Sequence, residues 1–404
     1  MALDVAKGIL RVARGVTPAE ELNFRPRALV LWWCRERSEG CAGGIGFATE
    51  EGGDASTAWA ADDALAPGVL SRWGADAPLL LHGDPRTPEV SSLGRVRFAE
   101  RGFSVECDHD PEHPWLVHYL ALGGPDVHRA AVRELVLEST GTRAVRGLGF
   151  EPGLVLAAVG AGSKAGEPRS GLAVGFGAAA LPRSQVASGF VSQVDAAGTI
   201  ARGAQFTDAV ALLPAAAASG GIAALSRLVS FDRDGFTLET TTLVSELPLA
   251  VLALEGGSYT VGLGTSSSRA TAVGFPAAGA LLFGTGLDAT SHARDIGRLC
   301  VGGFSRDQRA GCVSWSTLRR GAWPPEPRSR STTEAVFEVI DTTSGELHAR
   351  AALASLGRRR FRLSWPVLEQ PRRDFGYVAF GAERPKPTLR ERLRPCDRGS
   401  SFRE

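Results

Sequence analysis

At 404 residues, with 44% hydrophobic and 22% charged side chains, the chain is long enough for several domains, each with its own buried core. Its 45 basic and 44 acidic residues leave a formal charge of +1, which excludes the strong field that holds nucleic acid or an anionic membrane. Lysine occurs only at Lys7, Lys164 and Lys386; the arginine, alanine and glycine bias reads as the codon usage of a GC-rich genome.

The first residues, MALDVAKGILRVARGVTPAEELNF, contain no apolar run of signal-peptide length, and no later segment approaches the ~18 apolar residues of a membrane span. Synthesis in a bacterial cytoplasm is the expectation. Six cysteines (34, 41, 107, 300, 312 and 396) form no CxxC pair and are expected to be reduced and structural.

The first segment with a clear signature is FRPRALVLWW, from Phe24, followed by GGIGFA around Phe47 and by Trp59. Adjacent tryptophans 32 and 33 cannot both face one core if the segment is a regular strand. One is expected inside, and its neighbour against another sheet, another domain or a partner, which makes Trp32 and Trp33 interface candidates. His82 and Asp84, in LLLHGDPRT, form an acid–base pair in principle and a surface turn more simply. VRFAERGFSV then reads as a hairpin, and CDHDPEHPW places Cys107, His109 and His113 in one loop. These are borderline-soft donors that make weak zinc candidates, although Pro111 and Pro114 break any regular strand spacing. No metal and no cofactor is expected. The unit closes on YLALGG, residues 119–124.

The same series then recurs. FEPGLVLAAV opens at Phe150 and FPAAGALLFG at Phe275, 126 and 125 residues after their predecessors. Gly-Phe steps follow at Phe176 and Phe304, aromatics at Phe190 and Trp315, hairpins in VSFDRDGFTL and ASLGRRRFRL, and closing strings VLALEG and YVAFGA. Order and spacing together mark a repeat. The domains are 1–126, 127–256 and 257–384, followed by an extended basic tail at 385–404.

Within a unit the apolar runs are short and separated by Gly, Pro, Asp and Ser, which predicts strands. Continuous runs such as RALVLWW suit strands covered on both faces, and alternating FTLETTTL suits one wet face. The fold expected is all-β: three tandem β-sandwich or jelly-roll-like repeats of about 125 residues. Residues 209–218, AVALLPAAAA, look helix-compatible and are expected as a loop insertion. GAGSKAG at 160–166 matches neither a P-loop nor GxGxxG and reads as a loop between strands. Gly235 is expected to supply a positive φ to the FDRDGF turn, whose Asp232 and Asp234 resemble calcium ligands but have no counterparts in the sister hairpins. No G-x-S-x-G elbow is present.

The repeated F-x-P, Gly-Phe, VSFDRDGFTL and YLALGG elements resemble a β-sandwich repeat of structural proteins of tailed bacteriophages and phage-derived particles, over nearly all of residues 1–384. The resemblance implies a non-enzymatic virion component in capsid decoration, tail or fibre, located in a particle. Its partners would be other particle proteins, including a second copy of itself; neither nucleic acid nor a membrane is expected. The alternative is a carbohydrate-binding, adhesive protein meeting a surface glycan through clustered exposed aromatics. Interface candidates besides the two tryptophans are Arg358, Arg359 and Arg360 in a hairpin, and Arg390, Arg392 and Arg394 in the tail, which can order on binding.

Overall fold

The computed structural model describes residues 3–381 except 20, 36–40, 62–68, 76, 82–91, 109–113, 161–168, 182–183, 196–197, 217–219, 288–296, 319–325, 342–343 and 370–371. The protein is all-β, built from three tandem sandwiches, and every strand pairing is antiparallel. In unit one the larger sheet runs, edge to edge, Asp4–Val12, Trp115–Gly123, Pro26–Arg35, Cys41–Thr49, Asp54–Ala61 and Val69–Ala75. The smaller sheet runs Gly15–Pro18, Gly102–Cys107, Ser92–Ala99 and Leu79–Leu81. Counted along the chain, the larger sheet has the order first, tenth, third, fourth, fifth, sixth, and the smaller one second, ninth, eighth, seventh. Units two and three repeat both orders, apart from the extra strand Arg169–Ser170 of unit two, which pairs with Val69–Ala75 of unit one. Among the described residues no helix is long and apolar enough to cross a membrane.

The closing strings explain the architecture. In YLALGG, Tyr119 and Ala121 face the core of their own sandwich, while Leu120 and Leu122 face away from it into a central core. Val251 and Ala253 divide from Leu252 and Leu254 in the same way, as do Tyr377 and Ala379 from Val378 and Phe380. Successive strand residues point to opposite faces, so a string that is apolar at every position is buried on both sides. All three larger sheets contribute to the one central core, where Phe47 meets Phe176, Phe176 meets Phe283 at 5.0 Å, and Trp59 meets Trp315 edge-on at 4.9 Å. The smaller sheets lie outside and alternate buried and exposed positions, as in Arg360–Leu368.

The units close on themselves. The fourth and fifth strands of unit one pack against the first strand of unit two, Val127–Leu137. Those of unit two, Leu172–Leu181 and Ser184–Asp195, pack against the first strand of unit three, Ser258–Thr265. Those of unit three, Gly297–Ser305 and Ala310–Leu318, return to Asp4–Val12 of unit one. The same pair of surfaces is thus used three times in a head-to-tail ring, the arrangement of a cyclic trimer within one chain.

Two expectations are corrected. Residues 211–214 of AVALLPAAAA form the seventh strand of unit two, paired with Ile222–Asp232, because the tertiary frame places that segment at a sheet position that helix propensity does not override. Phe304 is not equivalent to Phe47 and Phe176. It faces the sandwich core of unit three, whereas the other two face the central core. Opposite equivalent third-strand positions Val30, Leu156 and Leu281 stand Phe47, Ala178 and Gly303, so Phe176 is two residues out of step with Phe47 and keeps its face, whereas Phe304 is one residue out of step and lies on the other.

Candidate functional site

The strongest departure from threefold repetition lies at the seam where unit three meets unit one. Lys7 opposes Leu120 across the sheet, in the register that places Val132 opposite Leu252 and Val261 opposite Val378. His118 similarly takes the place of Ala250 and Gly376. Two seams are therefore apolar at these positions, and the third carries a lysine and a histidine.

Both side chains are buried, at 1% and 0% exposure. The Lys7 amine donates to the Gly8 carbonyl at 2.8 Å and meets His118 Nδ1 at 3.0 Å, and His118 Nε2 meets Ser331 Oγ at 2.7 Å. Trp32 forms the floor: the imidazole stacks on it at 5.8 Å and 16°, and the amine lies 5.4 Å from its ring centre. Unit three supplies the cover through Gly311, where a Cβ would lie 2.7 Å from His118 Nδ1 and 2.9 Å from Lys7 Nζ. The Lys7 backbone N–H also donates to Ser305 of unit three at 3.2 Å.

Burial lowers the Lys7 amine to about 7; Cys312 opposes the shift and Arg309 adds to it. Burial, then Lys7, pushes His118 well below its ordinary value, so the imidazole is neutral. Burial holds the Cys312 thiol well above the usual range.

A serine 2.7 Å from a histidine invites comparison with a nucleophile and its base, but the third member is of the wrong type. A catalytic triad places an acceptor at Nδ1, so that Nε2 is free to take the serine proton. Lys7 places a donor there. While the amine is charged, Nδ1 accepts, and the ring hydrogen sits on Nε2 and is donated to Ser331, which leaves His118 no lone pair toward the hydroxyl in that state. The chain Lys7, His118, Ser331 satisfies a buried amine and ties unit one to unit three.

Trp32 and Trp33 face opposite ways, as adjacent strand residues must, and both are 0% exposed. Trp33 fills the sandwich of unit one, and Trp32 is covered by unit three within the same chain, so neither presents a surface to a separate partner. Cys107 packs in the unit-one core, its thiol pushed up to about 11 mainly by burial; His109 and His113 lie outside the described residues. Among the described residues no group of three or more His, Cys, Asp or Glu side chains is placed to hold a metal ion. Cys34, Cys107, Cys300 and Cys312 are buried. His82, Asp84, residues 161–166 and the tail arginines 390, 392 and 394 also lie outside the described residues.

Asp232 accepts from Ser230 and Thr237, and Asp234 from the backbone N–H groups of Gly147 and Gly149; these bonds lower both carboxyls. Asp232 therefore braces the hairpin internally and Asp234 pins it to the exit of the second strand, Gly141–Arg146, beside an open cleft of about 470 Å³ lined by Arg146, Gly149 and Arg233. Arg358, Arg359 and Arg360 are exposed at a hairpin tip. Compared with known protein families and with curated proteins, the chain finds no match.

Proposed function

We propose that the chain is a non-enzymatic structural component of a phage or phage-like particle, a single-chain pseudo-trimer acting by protein–protein docking. The observation that carries this reading is the closed ring of three sandwiches around one shared core. The repeated signature is spent on packing: Tyr119, Leu120, Phe176, Trp315 and their counterparts are interior. What remains for function is the outer surface, which presents three related faces, a geometry suited to a site of threefold or sixfold symmetry on an assembly. The resemblance of the repeat to virion proteins supplies the setting. A glycan-binding reading needs clustered exposed aromatics, and the exposed large hydrophobics among the described residues are Ile9, Val16, Val229 and Val244.

The test is to tag the chain in its native host, purify particles on a density gradient and image them. Co-sedimentation, with density for the chain at a symmetry axis, supports the reading. A chain that stays at the top of the gradient, with particles intact without it, overturns it.

A further inference from the structure

The hairpin between the eighth and ninth strands of unit three differs from its sisters in charge. In unit one, Arg97 is bonded to Glu106 at 2.7 Å and Arg101 to Glu21 at 3.1 Å. In unit two, Arg227 is bonded to Glu239 across the hairpin at 2.6 Å, and Asp234 lies in the turn. In unit three the tip carries Arg358, Arg359, Arg360 and Arg362, all exposed, and Arg362 opposes Ser355 where an acid could have stood. Among the described residues none of these four guanidinium groups has an ion-pair or hydrogen-bond partner.

We infer that this tip is a docking surface for an acidic patch on a partner protein. Arg360 and Arg362 lie on the wet face of one strand, about 6.6 Å apart, with the two turn arginines beyond them. The cluster is compact, four guanidinium groups within five consecutive residues of one hairpin tip, a footprint that three or four carboxylates on a protein surface can fill. Planar guanidinium forks pair with carboxylates in bidentate fashion, so matched geometry adds to charge. A nucleic acid fits less well. A phosphate backbone runs on past so small a cluster, and the whole chain carries only +1 to hold it. Among the described residues the exposed large hydrophobics include no aromatic on which a base would stack. The inference is independent of the particle reading, since an acidic partner of any origin would serve.

The test uses the full chain with fluorescein-labelled poly-L-glutamate as the probe and a single-stranded oligonucleotide of equal charge as its competitor class. The tip variant carries Arg358, Arg359, Arg360 and Arg362 changed to Ser. A control variant carries the same change at exposed Arg14, Arg95, Arg233 and Arg269, so that net charge is matched. Expected are polyglutamate binding that weakens with salt, a loss of about tenfold or more in the tip variant, and little change in the control. Equal binding by the two variants, or no binding of polyglutamate by the unmodified chain at low salt, overturns the inference. Tip-dependent binding of the oligonucleotide in preference to polyglutamate also overturns it, because the target would then be phosphate. Matching thermal unfolding of the two variants shows that folding does not enter the comparison.

Discussion

Lys7 and His118 make the pH dependence of stability a readable quantity. The folded amine titrates near 7 and the unfolded one near 10.5, so between these values the unfolded chain holds one more proton and stability rises with pH. One proton corresponds to about 1.4 kcal/mol per pH unit. His118 acts in the same direction on the acid side. Its folded value lies below 6.5, so acidification below 6.5 protonates the unfolded chain first and stability falls. Thiols end the gain: Cys107 and Cys312 are raised above 9.0, so beyond that pH the folded state holds the extra protons. Denaturant unfolding followed from pH 5 to 9 should therefore show stability rising with pH. Lys7→Val with His118→Ala copies the Val132 and Ala250 of the seam between units one and two, and should abolish the rise between pH 7 and 9. A double variant with the same slope as the unmodified chain would refute this account of the seam. The signal was present in the sequence but not as a motif: Lys7 is ordinary within DVAKGILRV, and becomes conspicuous only when the three first strands are aligned.

Among the elements, the hairpins show how much a glycine contributes by absence. Gly235 has φ of 149°, and its Cβ position is occupied by the Val145 carbonyl of the neighbouring second strand. It was expected to shape the turn; its tighter constraint is this close approach. Gly235→Ala should cost more than about 1 kcal/mol, whereas Gly141→Ala, where φ is 118° and nothing lies within 4 Å, should cost only backbone strain of about 1 kcal/mol. Thermal unfolding of the two variants separates space from strain, and equal losses would mean that the approach of Val145 is unimportant. The strands themselves were legible because each apolar run is short and bounded by turn residues. Their register was not. The Gly-Phe step aligned Phe304 with Phe47 and Phe176, yet one residue of slip turns it to the other face, and nothing local in CVGGFS reports which face is inward.

At the scale of the molecule, fully apolar strand segments such as ALVLWWC required a second covered face, and the tryptophan pair required two different environments. Neither feature could say that the cover came from the same chain, because that depends on ring closure by surfaces about 125 residues apart. The shared core also sets how damage spreads. Trp59→Ala removes a buried indole that packs on Trp315 of another unit, and should cost about 3–5 kcal/mol in one transition seen alike by all probes. Separate transitions for separate units would argue against a common core.

The most direct test of closure is to sever the chain between units. Sequence-specific protease sites inserted at exposed Pro125 and between Gly256 and Ser258 would cut both connections, and the digested protein would then be sized without denaturant. If three sandwiches share one core, the fragments stay together at the mass of the intact chain and separate only in denaturant. Three fragments that elute singly and folded would contradict the account.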